Sequence, residues 1–261
     1  MTRLGKELES FKSLWKGGYF EGDPLDPLCR FPSYGTLNWI SSHHATYLRC
    51  IKPYIRHDTV ALEIGPGRGC WTKALLPARE IYVLDALSAE HNGFFEYVGH
   101  HSHVKYFQVD DFSCSMLPDN HFDYMFSFGC LCHVSLEGIT AYAQNLFGKL
   151  KPGANCFWMI ADYAHFNASG KLAHENHQRL VDHLLPYSRF WYFIRSRIAK
   201  HNAKHEKIAI YPDLNDAPSP GRWYDCDKDK VAHILESLGY RVLDKDVGTN
   251  LRDPILHFVK P

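Results

Sequence analysis

Five short runs of β-type residues, each followed by a segment of different rhythm, constrain this chain's fold more than any other feature. "TVALEIG" (59–65), "EIYVLDA" (80–86), "VKYFQVD" (104–110), "FDYMFSF" (122–128) and "NCFWMIAD" (155–162) are rich in apolar residues. Such runs suit parallel strands buried on both faces. Between the fourth and fifth, Ile139, Tyr142, Ala143, Leu146 and Leu150 recur at helical spacing, and "KPG" at 151–153 is expected to stop that helix. Strand and helix alternating in this way predict an open parallel sheet with helices on both sides. Towards the C-terminus, Val231, Ile234, Leu235 and Leu238 mark another helix ended by Gly239. "YRVLDKDV" and "PILHFVK" then follow with only a loop between them, which favours an antiparallel pair. The total is seven strands.

The first strand runs into "EIGPGRG", with glycines at 65, 67 and 69. Glycine costs conformational entropy, so three together mark a tight turn or a close approach to a ligand. In a βαβ unit that ligand binds outside the carboxyl ends of the strands. A dinucleotide fingerprint would place its third glycine at position 70, where Cys70 stands. The pattern here is instead E-x-G-x-G-x-G.

With that loop the chain resembles the class I S-adenosylmethionine-dependent methyltransferases of the small-molecule type. The resemblance is strong over roughly 58–162 and topological over 223–261. It implies an α/β, Rossmann-like, seven-stranded, mostly parallel sheet with an antiparallel C-terminal strand, helices on both faces and a helical lid. It also implies S-adenosyl-L-methionine as cofactor, with Gly65, Pro66, Gly67 and Gly69 as the loop beside it. Glu63 would neutralise the cofactor's ammonium, directly or by orienting the loop. Asp85, ending the second strand and followed by Ala86, would take both ribose hydroxyls, since a carboxylate has two acceptor oxygens. In "VDDF", Asp111 or Asp110 would meet the adenine amino group and Phe112 would pack on the ring. Phe128 and Gly129, in "SFGCLCHVS", would meet the methionine moiety, and "LKPG" before the fifth strand is a usual companion.

For methyl transfer to a hydroxyl, the protein supplies alignment and a base. His133 is the first candidate, because an imidazole with an ordinary pKa of about 6.5 takes a proton near neutrality. Helix capping or core packing is the competing role. Asp162 and His165, in "IADYAHF", are further catalytic candidates; Asp162 could bind substrate, assist a base or ligate a divalent metal. The expected function is O-methylation of a small hydroxylated metabolite such as a sugar. The alternatives are an N- or S-methyltransferase, or a cofactor-binding scaffold or RNA-modification partner. "SFGC" stands where base-amine methylases carry an NPPY-like tetrad, which counts against base methylation.

Four segments are expected: 1–58, helical and aromatic; 59–162, the cofactor-binding core; 163–222, a mainly helical insertion over the substrate; and 223–261, completing the core. Aromatics crowd both lid segments: Trp15, Tyr19, Phe20, Phe31, Tyr34 and Trp39 in one, Phe190, Trp191, Tyr192, Phe193, Trp223 and Tyr224 in the other. They suit ring substrates or simple packing. Arg197, Lys200, Lys204 and Lys207 would line one helix face, a solvated surface or an anion-recruiting stripe. The 29 basic and 29 acidic residues balance, which disfavours a nucleic-acid partner. No apolar run approaches the ~20 residues of a membrane span. The polar N-terminus shows no secretory signal, and the eight cysteines contain no CxxC pair, so a cytoplasmic protein with reduced thiols is expected. The histidines, seventeen in all, include "HHSH" at 100–103, read as a solvated loop, and no metal site is expected. A small-molecule substrate is the expected partner, and a homodimer is compatible with the sequence.

Overall fold

The structure is a computed structural model, which describes residues 3–20, 22–28, 36–37, 40–166, 168, 223–250 and 252–261. Seven strands form one sheet: β1 Val60–Ile64, β2 Glu80–Asp85, β3 Val104–Gln108, β4 Phe122–Ser127, β5 Leu150–Met159, β6 Arg241–Asp244 and β7 Ile255–Val259. Their order is β3-β2-β1-β4-β5-β7-β6. The first five are parallel, and β7 runs antiparallel to both β5 and β6. This is the expected α/β sheet with its antiparallel C-terminal strand.

Every residue of β1 is buried, as a central strand covered on both faces requires. Side chains alternate across a strand, and the core accordingly divides in two. Val60, Leu62 and Ile64 join the cluster built with α6 (Leu136–Phe147) and α7 (Lys228–Ser237). Ala61 points into the opposite cluster, with Trp71 and Leu75 of α3 (Cys70–Leu75) and Phe94 and Val98 of α5 (Phe94–Val98). Ile51 joins this second cluster from a π-helical turn, Tyr47–Ile51, that continues α2 (Ser42–Thr46). A short helix α4, Ala89–Asn92, precedes α5.

One local expectation needs correction. "KPG" does not end α6: the helix stops at Phe147 with Gly148 as its cap, and 151–153 lie inside β5. Proline lacks an N–H and is tolerated in a strand beside an irregularity. Here the pairing register shifts between Phe122 and Tyr124, opposite this stretch. The N-terminal segment also contains a regular helix the sequence reading did not single out, α1, Arg3–Leu14. Of the insertion, a helical turn at 163–166 is described. The aromatics at 190–193, the basic residues Arg197, Lys200, Lys204 and Lys207, and Phe31, Tyr34 and Trp39 lie outside the described residues.

Candidate active site

The strand order reverses between β1 and β4, and the loops leaving these two strands face each other there. Such a switch point leaves a crevice at the carboxyl ends of the strands. Gly65 follows β1 with φ +71°, and a Cβ there would lie 2.3 Å from the Cβ of Cys130, which follows β4. Only glycine lets the two loops approach so closely. Gly69 caps α3 with φ +97°, and a Cβ there would strike Val98 at 2.3 Å. The loop therefore lies flat against α5 on one side and the β4 loop on the other.

A cavity of about 710 Å³, open solvent at its mouth included, occupies this crevice. Gly65 and Gly67 form one wall, and Asp85, Ala86 and Leu87 form the next. Gly129, Cys130, His133 and Val134 contribute from the β4 loop, with Tyr142 from α6 behind them. Leu8, Phe11, Trp15, Gly17 and Tyr19 close it from the N-terminal segment.

Asp85 holds the wall of this cavity beside the glycine loop together. Its Oδ1 accepts the Leu87 N–H at 2.9 Å and its Oδ2 the Gly67 N–H at 3.2 Å. Burial pushes its carboxyl above the ordinary value, opposed by these amides and by the Asn92 side chain. Asp85 lines the cavity, and carboxylate oxygens are acceptors of the kind a ribose diol bonds. That acceptor, with a glycine wall and a mostly apolar lining, fits S-adenosylmethionine.

His133 ends a 3-10 turn, Leu131–His133, and its half-buried ring lies 4.9 Å from the Trp15 ring at an interplanar angle of 63°. It is the one catalytic candidate of the three that the fold brings to the cavity. Asp162 is buried, and both its oxygens are engaged as helix caps. Oδ1 accepts the His165 N–H at 2.8 Å and Oδ2 accepts the Lys228 N–H at 3.1 Å, at the start of α7. His165 points elsewhere, its Nδ1 lying 3.6 Å from Asp246 Oδ2.

Of the cofactor candidates, Gly65, Gly67, Asp85, Ala86 and Gly129 line the cavity, while Pro66 and Gly69 shape the loop without lining it. Glu63 sits beneath the loop, buried, with Oε2 accepting the Thr72 hydroxyl at 2.6 Å. The orienting role fits this position. Asp110 and Asp111 are exposed and away from the cavity, and Asp111 Oδ1 instead accepts the Ser113 N–H at 2.7 Å in its own turn. Phe112 is buried against Tyr142, ring centres 4.7 Å apart, so Tyr142 presents an aromatic ring to the cavity and Phe112 does not. Phe128 faces the other side of the sheet and packs on Trp71 at 4.5 Å. Strand alternation accounts for this: Gly129, next in the chain, lines the cavity.

Sequence reasoning missed Asn92 and Glu7. Asn92 Oδ1 accepts the Gly18 N–H at 3.2 Å and its Nδ2 donates to the Tyr106 hydroxyl at 2.9 Å, which joins the N-terminal segment to the Asp85 wall. No motif marks either residue. The histidines of "HHSH" contact nearby groups, His101 and His103 bonding backbone carbonyls and His100 stacking on Phe95. Among the described residues, no group of three or more His, Cys, Asp or Glu is placed to hold a metal ion, and no helix is long and apolar enough to cross a membrane. The seven described cysteines are free thiols.

A family model described as a methyltransferase domain matches residues 36–204. Among solved structures, the N-methyltransferase NodS from Bradyrhizobium japonicum WM9 is 13% identical, covers 84% of this chain and 94% of its own, and gives a TM-score of 0.49. DhpI, solved as a SAM–HEP complex, is 18% identical over 84% of this chain and 86% of its own, with a TM-score of 0.49. YcgJ from Bacillus subtilis is 22% identical over 46% of this chain and 51% of its own, with a TM-score of 0.40. None of these three bears on this chain's substrate. A search of curated proteins found no match.

Proposed function

This chain belongs to the methyltransferase-domain family, and from that premise we propose that it transfers a methyl group from S-adenosylmethionine to a hydroxyl of a small molecule, with His133 as general base. One observation carries the reading: His133 and Asp85 open onto the same cavity, reached from opposite sides of the glycine loop. When bound, the cofactor supplies an electrophilic methyl group on a sulfonium centre. The protein's work is then alignment, exclusion of water and proton removal. Asp85 would hold the ribose hydroxyls while the Gly65 and Gly67 backbone lies against the cofactor's length. Glu63, through Thr72, would keep that loop in place. His133, beside Cys130 and Val134, would take the acceptor's proton at a ring nitrogen. Leu8, Phe11, Trp15 and Tyr142 would keep the reacting atoms dry.

A second reading, transfer to an amine nitrogen, draws support from the rings of Phe11, Trp15 and Tyr19. Phe11 stacks on Trp15 at 6.4 Å and Trp15 meets Tyr19 edge-on at 6.1 Å, a surface that would attract a cation. The test is S-adenosylhomocysteine release over a panel of sugars, phenols and amines, with mass analysis of products. The proposal expects O-methyl products and a fall in kcat of about 10²–10⁴ for His133→Ala. N-methyl products with near-normal His133→Ala turnover would favour the second reading.

A further inference from the structure

We propose that α1 is a working part of the active site and that Glu7 and Trp15 are positioning residues for His133. This rests on the reading of His133 as the base. The N-terminal segment grips the loop after β4 at two points. At the first, the Glu7 carboxylate is almost fully buried, and Oε1 accepts the Ser135 N–H at 2.6 Å. Oε2 accepts the Ser135 hydroxyl at 2.7 Å, while that same Ser135 oxygen accepts the Gly138 N–H at 3.1 Å in the first turn of α6. The carboxylate thus stands at the N-terminal end of a twelve-residue helix, where unpaired amides favour negative charge. At the second point, just past the end of α1, the Trp15 ring lies on His133.

Ser135 and His133 are two residues apart, and Glu7 and Trp15 are about two helical turns apart. Leu8 and Phe11 lie between them and line the cavity. One rigid element therefore spans from the anchor to the base. Beyond Trp15 the chain is fastened again, Gly18 to Asn92 and the Tyr19 carbonyl to the Arg68 N–H at 3.1 Å. A buried carboxylate is costly unless it is hydrogen-bonded, so Glu7 commits α1 to one position. That position decides where the indole meets the imidazole. The ring of His133 stands on a three-residue 3-10 turn, and the indole is a stiff wall that fixes its direction. Misplacing a reacting group by about 1 Å is enough to cost on the order of 10²-fold in rate.

The test is histidine-labelled NMR of the full chain, with the His133 signals assigned by His133→Gln. The indole should impose a ring-current shift on His133 that Trp15→Leu abolishes and Trp15→Phe partly restores. Glu7→Ala should reduce the same shift at least about twofold. If Glu7→Ala fails to fold by circular dichroism, Glu7→Leu, which fills the space and can accept neither Ser135 bond, takes its place. In the transfer assay, Trp15→Leu should lower kcat by about 10–10²-fold, with Trp15→Phe recovering most of it. Unchanged His133 signals in Trp15→Leu, or in the folded Glu7 variant, would overturn the proposal. Failure of the base reading has a separate signature, normal turnover in His133→Ala while the NMR shifts behave as described.

Discussion

Two buried groups, His43 of α2 and Asp253 just before β7, give the residue scale its clearest test. His43 stacks on Trp71 at 5.2 Å, and burial, with help from Arg252, pulls its imidazole down to about 4. Asp253 is fully buried with one oxygen 2.5 Å from Arg252 Nε, and burial pushes its carboxyl up to about 6 against that guanidinium. The signs oppose each other. Below about 6.5 the unfolded chain protonates His43 while the folded chain keeps it neutral, so its contribution is lost as pH falls towards 4. Between about 6 and 4 the folded chain holds a proton on Asp253 that the unfolded chain releases, so stability is gained as pH falls. Each shift of two units or more corresponds to about 3 kcal/mol, and in the native protein they largely offset. Urea unfolding at pH 7 and pH 4 should separate them. Relative to wild type, His43→Phe should gain about 3 kcal/mol on acidification and Asp253→Asn should lose a similar amount. Variants that track wild type at both pH values would contradict these assignments.

At the scale of elements, the glycine loop is the part whose physics was most legible. Its spacing placed the turn, and the structure adds the reason in the approach of Gly65 to Cys130. Gly65→Ala should cost about 1–3 kcal/mol, from the positive φ and from the clash. Adding Cys130→Gly should recover part of that loss and leave the backbone part, as thermal melts of the single and double variants can show. A fully additive pair would mean the two loops do not touch. Other elements were hidden for identifiable reasons. The stripe of α1 is only Leu4, Leu8 and Phe11, set among charged residues. Asp111 and Asp162 are acids at strand ends, as a site residue should be, yet a turn amide claims the first and two helix starts claim the second. Sequence position cannot distinguish a carboxylate aimed at a ligand from one capping a backbone. Phe112 and Phe128 show the same limit for apolar groups, because which side of the strand end each faces depends on register.

For the whole molecule, the alternation of β-type and helical segments carried enough information to reach the sheet, its direction changes and the crevice between β1 and β4. Local sequence holds that information because the central strands β1 and β4 are buried on nearly every residue and the crossovers joining the first five strands are short. The closure of the cavity was less legible, since it depends on contacts such as Glu7 with Ser135, 128 residues apart in the chain. The central claim is that this crevice is built for S-adenosylmethionine, with Asp85 holding the ribose. Titration calorimetry of S-adenosylhomocysteine and NADH against wild type and Asp85→Ala addresses it most directly. The account predicts binding of the first ligand, weakened in Asp85→Ala by about 2–4 kcal/mol for two lost charge-assisted hydrogen bonds, and no tight binding of NADH. Tight NADH binding, or an affinity for S-adenosylhomocysteine unchanged in Asp85→Ala, would contradict it.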